Sequence, residues 1–170
     1  MLQSYYGNGK GKTSAAVGAA VRAVGGGMNV LFVQFFKNGD SSEIAVLDSL
    51  ENLDVLIPKD NYVLFEPFNK ERIAARSKEY SNLIFKTVFL KAEKYQMIIL
   101  DEVLDAVHLG LVDETEFSDF VATLKTCKEI VLTGHSLPEK IASLSDYVSE
   151  IQEIKHPFNL GAEPRKGIEY

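Results

Sequence analysis

The sequence predicts an α/β fold, a mostly parallel central sheet flanked by helices, and three observations predict it. A glycine-rich segment, Gly7-Asn8-Gly9-Lys10-Gly11-Lys12-Thr13-Ser14, joins a short apolar stretch (residues 2–6) to an alanine-rich one. A second apolar stretch, Gln96-Met97-Ile98-Ile99-Leu100, ends in the acids Asp101 and Glu102. Between and after these, continuous apolar runs alternate with segments of helical periodicity, the pattern of parallel strands covered on both faces by crossover helices.

The glycine-rich segment reads as a phosphate-binding loop. Its three glycines let the backbone curl with N–H groups inward, and the following helix adds its positive end. Lys12 supplies a point charge, and Thr13 offers a hydroxyl to Mg²⁺. Gly7 to Gly11 reads G-x-x-x-G-K-T, one residue shorter than the usual spacing, with Tyr6 where the longer pattern wants glycine. A plain glycine turn between strand and helix leaves the two lysines and two hydroxyls among the glycines without a purpose.

The remaining elements follow in order. Residues 13–24 have helical spacing and end at Gly25-Gly26-Gly27. Residues 29–36 are a continuous apolar run, interrupted by Gln34, a candidate to reach the site. Lys37 to Asp40 turns at the carboxyl end of that strand, the edge where open α/β sheets bind ligands, and leaves Lys37 exposed as ligand contact or solvated surface. Asp40 with Glu43 forms an N-cap pattern for a helix to about residue 50, and residues 53–57 read as a third strand. Residues 58–68 form a loop whose Tyr62, Phe65 and Phe68 either close over the core or offer a flat ligand surface. Asn69 caps a long helix to about residue 94, with Ile73, Tyr80, Ile84 and Val88 on one face and charges toward solvent.

Residues 96–102 form a buried strand that delivers Asp101 and Glu102 beside the loop, to hold Mg²⁺ directly or through water. Residues 115–125 are an amphipathic helix, residues 130–135 a buried strand ending at a glycine turn, and Pro138 starts a short helix. Residues 147–155 read as a final edge strand, from which His156-Pro157-Phe158 turns away. His108, His135 and His156 have no metal-ligand spacing, and the first two read as structural or surface residues.

Composition bounds the partners. The 170 residues suit one domain, residues 1–170, with a hydrophobic content of 46% and 25% charged residues. No apolar run approaches the roughly 20 residues that span a bilayer. Met1 stands a few residues before the loop with no basic or apolar leader, which predicts a cytoplasmic protein. The net charge of −6 argues against a nucleic-acid partner, because such proteins carry a basic face. An anionic ligand then depends on local charge, with Lys10, Lys12, Arg22 and Lys37 as candidates. The single cysteine, Cys127, falls in a helical segment and reads as a buried, inert thiol.

Together these segments resemble the P-loop ATP:corrinoid adenosyltransferases, the cob(I)yrinic acid a,c-diamide adenosyltransferase family, over nearly the whole chain. The resemblance is carried by the loop with Ala20-Val21-Arg22-Ala23-Val24-Gly25, by Val33-Gln34-Phe35-Phe36-Lys37, by Leu100-Asp101-Glu102 and by Leu132-Thr133-Gly134-His135. The tail from Val148 through Lys155-His156-Pro157-Phe158 to Arg165-Lys166-Gly167-Ile168-Glu169-Tyr170 completes it. It implies a RecA-like fold, a homodimer, Mg²⁺, ATP bound reversed relative to most P-loop proteins, an electron-donating reductase, and adenosyl transfer to cobalt(I) of a corrinoid with triphosphate leaving.

On these grounds Lys12, Thr13 and Glu102 are the catalytic candidates, and Thr13, Asp101 and Glu102 the metal-binding ones. Gly7, Asn8, Gly9, Lys10, Gly11, Lys12, Thr13, Ser14, Arg22, Lys37, His156, Phe65 and Phe68 are the candidates to bind ATP and corrinoid. Two departures from the family stand out. Only six residues precede Gly7, where relatives often carry a covering segment, and the chain has no tryptophan to pair with a phenylalanine against the corrinoid. The competing functions are a small-molecule or nucleoside kinase and a non-catalytic ATP-dependent corrinoid carrier.

Overall fold

A computed structural model describes residues 1–37, 40–58, 70–157, 161, 163 and 165–168. Six strands form one parallel sheet in the order β3-β2-β4-β5-β1-β6, with β1 at Leu2–Tyr6, β2 at Val30–Gln34, β3 at Leu53–Leu56, β4 at Met97–Asp101, β5 at Glu129–Gly134 and β6 at Tyr147–Glu150. The loop strand β1 and the acidic strand β4 are therefore not neighbours: β5 pairs with both. This inserted strand gives the RecA-like arrangement.

Strand pleating explains the apolar runs. Alternate residues of each central strand point to opposite faces, so Leu31, Val33, Ile98, Leu100, Ile130 and Leu132 join one core cluster while Val30, Phe32, Met97, Ile99 and Val131 join the other. Helices α1 (Lys12–Gly25) and α2 (Ser42–Asp48) cover the second face. The contact side of α1 is Ala16, Ala20 and Ala23, small enough to lay the helix close against the strands. The first face is covered by α3 (Lys70–Asn82), a π-helical continuation at Leu83–Val88, the single turn α4 (Phe89–Lys91) and a 3₁₀ turn at Ala92–Lys94. It also receives α5 (Val103–His108), α6 (Glu114–Leu124) and α7 (Glu139–Leu144).

Several expectations need correction. The helix after β2 is capped at Ser41, with no side-chain hydrogen bond at the cap, and Asp40 lies outside it. In the long helical segment Tyr80, Ile84 and Val88 are buried, but Ile73 is 36% exposed and Arg76 is 1% exposed, so neither the apolar stripe nor the charged face runs as its periodicity suggested. The π-helical turn lies beyond both residues, at Leu83–Val88, and changes the angular step only there, between Tyr80 and Val88. Cys127 is exposed in the turn after α6. Strand β2 ends at Gln34 because Phe36 turns left-handed, φ 54°, and β6 is four residues long with every residue exposed. Helix α5 has no counterpart in the sequence reading. The expected Asn69 cap and the aromatics Tyr62, Phe65, Phe68 and Phe158 lie outside the described residues, as do Asn38, Gly39, Glu169 and Tyr170.

Candidate active site

Parallel strands all present their carboxyl ends at one edge, and register brings the chemistry there level: Gln34 pairs with Asp101 across β2 and β4, and Tyr6 with Gly134 across β1 and β5. At this edge a cleft of about 570 Å³ is floored by the loop from Gly9 to Ser14 and walled by Lys37, Glu43, Glu102 and His135, with Gly167 and Ile168 closing one side.

The loop glycines do different jobs. Gly7 and Gly11 have φ of 117° and 121°, conformations that side-chain-bearing residues avoid. Gly9 is needed for space, since a Cβ there would lie 2.7 Å from the Gln152 carbonyl carbon. Not every loop amide faces inward: the Gly7 N–H donates to the Gly134 and His135 carbonyls, and the Gly9 N–H to the Ile151 carbonyl at 2.8 Å. The Asn8 Oδ1 is likewise spent, accepting from the Glu153 N–H at 3.0 Å. What faces a ligand is the start of α1, whose N-cap is Gly11, without a side-chain cap and without an acid in the first turn. Helix geometry leaves its first N–H groups without intrahelical acceptors, so an anion is the natural cap.

The Lys12 Nζ folds back to donate to the Gly9 carbonyl at 3.0 Å. Burial pushes its ammonium below the usual range, and the carboxylates of Asp105, Glu102 and Asp101 pull it back up. The Thr13 hydroxyl donates to Asp101 Oδ2 at 3.3 Å, tying the loop to the end of β4. The inserted strand holds that carboxylate: the Thr133 hydroxyl donates to Asp101 Oδ1 and accepts from the Glu102 N–H, both at 2.7 Å. Glu102 itself is left-handed, φ 64°, a strained turn that aims its carboxyl into the cleft. Asp105, 5% exposed, accepts from the His135 N–H at 3.0 Å and meets the ring Nδ1 at 3.2 Å. Neither Thr133 nor Asp105 is among the sequence-derived site candidates, because their partners are 31 and 30 residues away.

Against the family model described as ATP:corrinoid adenosyltransferase BtuR/CobO/CobP, the chain matches over residues 1–170. The chain belongs to this family. It is 30% identical to a corrinoid adenosyltransferase of Sinorhizobium sp over 168 residues, covering 96% of this chain and 77% of that one. It is 29% identical to the corrinoid adenosyltransferase of Escherichia coli K12 over 166 residues, and 29% identical to corrinoid adenosyltransferase CobA of Salmonella typhimurium over 169, with 98% of this chain and 83% of the relative covered in each case. The activity is ATP:corrinoid adenosyl transfer.

In this adenosyltransferase the cleft gathers Gly9, Lys10, Gly11, Lys12, Thr13, Ser14, Lys37 and Glu102 from the sequence-derived site. Arg22 stands exposed on α1, near Tyr5 and outside the cleft lining, and His156 is half-buried beyond β6, also outside it. Lys37 is not a solvated surface residue: its Nζ hovers over three carboxylates. The oxygen donors fit Mg²⁺. Among the described residues no three His, Cys, Asp or Glu side chains form a metal cage, and an ion that keeps waters and takes one or two protein oxygens with substrate phosphates needs none.

Burial, reinforced by Asp101 and Asp105, pushes the Glu102 carboxyl up to about 7 against the opposing pull of Lys37. A carboxyl raised in the folded state holds its proton longer there, so its contribution to metal-free stability is present at low pH and is lost as pH climbs through about 7. The Glu102→Gln variant is therefore expected to lose less thermal stability than wild type between acidic and neutral pH in chelator. It is also expected to show weaker Mg²⁺ dependence of transfer. Equal melting slopes, or an unchanged Mg²⁺ titration, would move the role elsewhere.

Proposed function

We propose that the cleft transfers the 5′-deoxyadenosyl group of ATP to cobalt(I) of cobalamin or cobyrinic acid a,c-diamide and releases triphosphate. The cobalt(I) electron pair forms the cobalt–carbon bond to C5′, and the C5′–O bond breaks with its electrons leaving on triphosphate. A nucleophile this strong needs no protein base; the protein has to align C5′ and neutralise the leaving group. Lys12 and the N–H groups at the start of α1 face that charge. The hydroxyl of Thr13 and the carboxylates of Asp101 and Glu102 would hold Mg²⁺, which when bound supplies further positive charge at the phosphates.

The observation that carries this reading is the Thr13–Asp101 hydrogen bond, which puts phosphate loop and acidic strand end at one point in a chain of this family. The role is assigned to one domain acting in the cytoplasm as a homodimer, with a separate reductase delivering cobalt(I). Among the described residues no helix is long and apolar enough to cross a membrane. The test is anaerobic incubation with ATP, Mg²⁺ and chemically reduced cobalamin, or cobyrinic acid a,c-diamide in parallel, followed for the cobalt–carbon spectrum and triphosphate. Production of ADP alone would support a kinase, and saturable corrinoid binding without turnover a carrier.

A further inference from the structure

Lys37 is placed where a cation is wanted rather than where a hydrogen bond is made. Its Nζ lies 3.9 Å from Glu43 Oε1, 3.8 Å from Asp101 Oδ2 and 3.7 Å from Glu102 Oε1. Direct ammonium–carboxylate hydrogen bonds are shorter, about 2.7–2.9 Å. The ammonium therefore floats among three carboxylates from α2, the end of β4 and the residue after it, bound to none of them closely.

That placement is built into the backbone. Phe36, immediately before Lys37, is left-handed, and its N–H donates to the buried Tyr80 phenol oxygen at 3.2 Å. Tyr80 also packs edge-on to Phe35 and Phe36, with ring centroids 4.9 and 5.4 Å away. A strained conformation persists only when its surroundings over-determine it. Gln34 bridges two of the acids: its Nε2 donates to Glu43 Oε1 and Asp101 Oδ2, each at 3.2 Å. Gln34 is fully buried, yet its Oε1 has no hydrogen-bond partner among the described residues.

We propose that Lys37, set among Glu43, Asp101 and Glu102, is the internal counter-ion of the metal-free site, and that a divalent cation competes with it for the Asp101 and Glu102 carboxylates. The inference rests on the Mg²⁺ reading above. Lys37 lines the same cleft as the phosphate loop, so a displaced lysine stays within reach of a bound polyphosphate. Metal without nucleotide must evict a charge and binds weakly; metal arriving with a polyphosphate gives the evicted ammonium an anionic partner. Binding of metal and nucleotide is thereby coupled.

The test uses Mn²⁺ alone, without nucleotide, followed by paramagnetic resonance. Lys37→Met is expected to bind Mn²⁺ at least about tenfold more tightly than wild type, since one opposing charge has gone, whereas Lys37→Arg stays as weak as wild type. Unchanged affinity in Lys37→Met, or equal tightening in Lys37→Arg, overturns the proposal. Should Lys37→Met not fold, acylation of Lys37 in the unaltered protein, read by mass spectrometry, decides: it should rise when Mn²⁺ is added, and no rise overturns the competition. Adenosyl transfer measured in parallel separates the two readings. Transfer without competition retires only the role of Lys37, and competition without transfer retires the proposed reaction.

Discussion

Replacing Lys12 by alanine is expected to lower adenosyl transfer at least about 100-fold, the loss that follows removal of one preorganised charge contact to a developing anion. The lysine is set at the first position of α1 and leans over its own loop, 3.0 Å from the Gly9 carbonyl, inside the cleft proposed to hold the triphosphate. Its role is separable from folding. Burial opposes its charge in the ligand-free protein, so the variant should melt no lower than wild type while single-turnover transfer to chemically reduced cobalamin collapses. Equal falls in melting temperature and rate would make Lys12 a structural residue, and near-normal turnover would remove it from the site.

The second large effect is on stability, and it comes from a glycine. Gly7→Ala should destabilise the folded state by about 3 kcal/mol or more, because the backbone there is left-handed and the strain for a non-glycine residue is about 1–3 kcal/mol before any collision is counted. The new Cβ would stand 2.4 Å from the Ile151 carbonyl oxygen. That carbonyl belongs to the segment bound to the loop through the Gly9 N–H, and the Ile151 N–H donates to the Tyr6 carbonyl at 2.7 Å. The alanine must push away the chain that supports the loop. Gly18→Ala is the contrast: within α1 its Cβ meets nothing within 4 Å, so it should gain up to about 1 kcal/mol from helix propensity. Urea denaturation midpoints compare the two, and a Gly7→Ala midpoint equal to wild type would mean that residues 151–153 yield without cost.

Local chemistry was enough to read most of the elements. A loop of glycines, lysines and hydroxyls between strand and helix declares itself within eight residues. Apolar runs such as Ile130-Val131-Leu132 declare buried strands, because both faces of a parallel sheet must be covered. The acids at the end of β4 were legible for the same reason, as a pair of charges closing an apolar run.

Tertiary structure alone decided the rest, since each remaining feature depends on contacts between distant parts of the chain. Periodicity shows that a helix has two sides but not which of them the rest of the chain covers, and so Arg76 is buried and Ile73 exposed. Local spacing placed Asp101 and Glu102 near the loop, but only the insertion of β5 brought in Thr133 to fix the Asp101 carboxylate. Helical propensity made Cys127 look buried, and the end of α6 at Leu124 left it outside. The residue types that hold phosphate are written in sequence, because a short loop and a helix terminus carry their own geometry. The charge balance around them is not: Lys37 faces Glu43, Asp101 and Glu102 only once α2 and β4 have packed beside the end of β2.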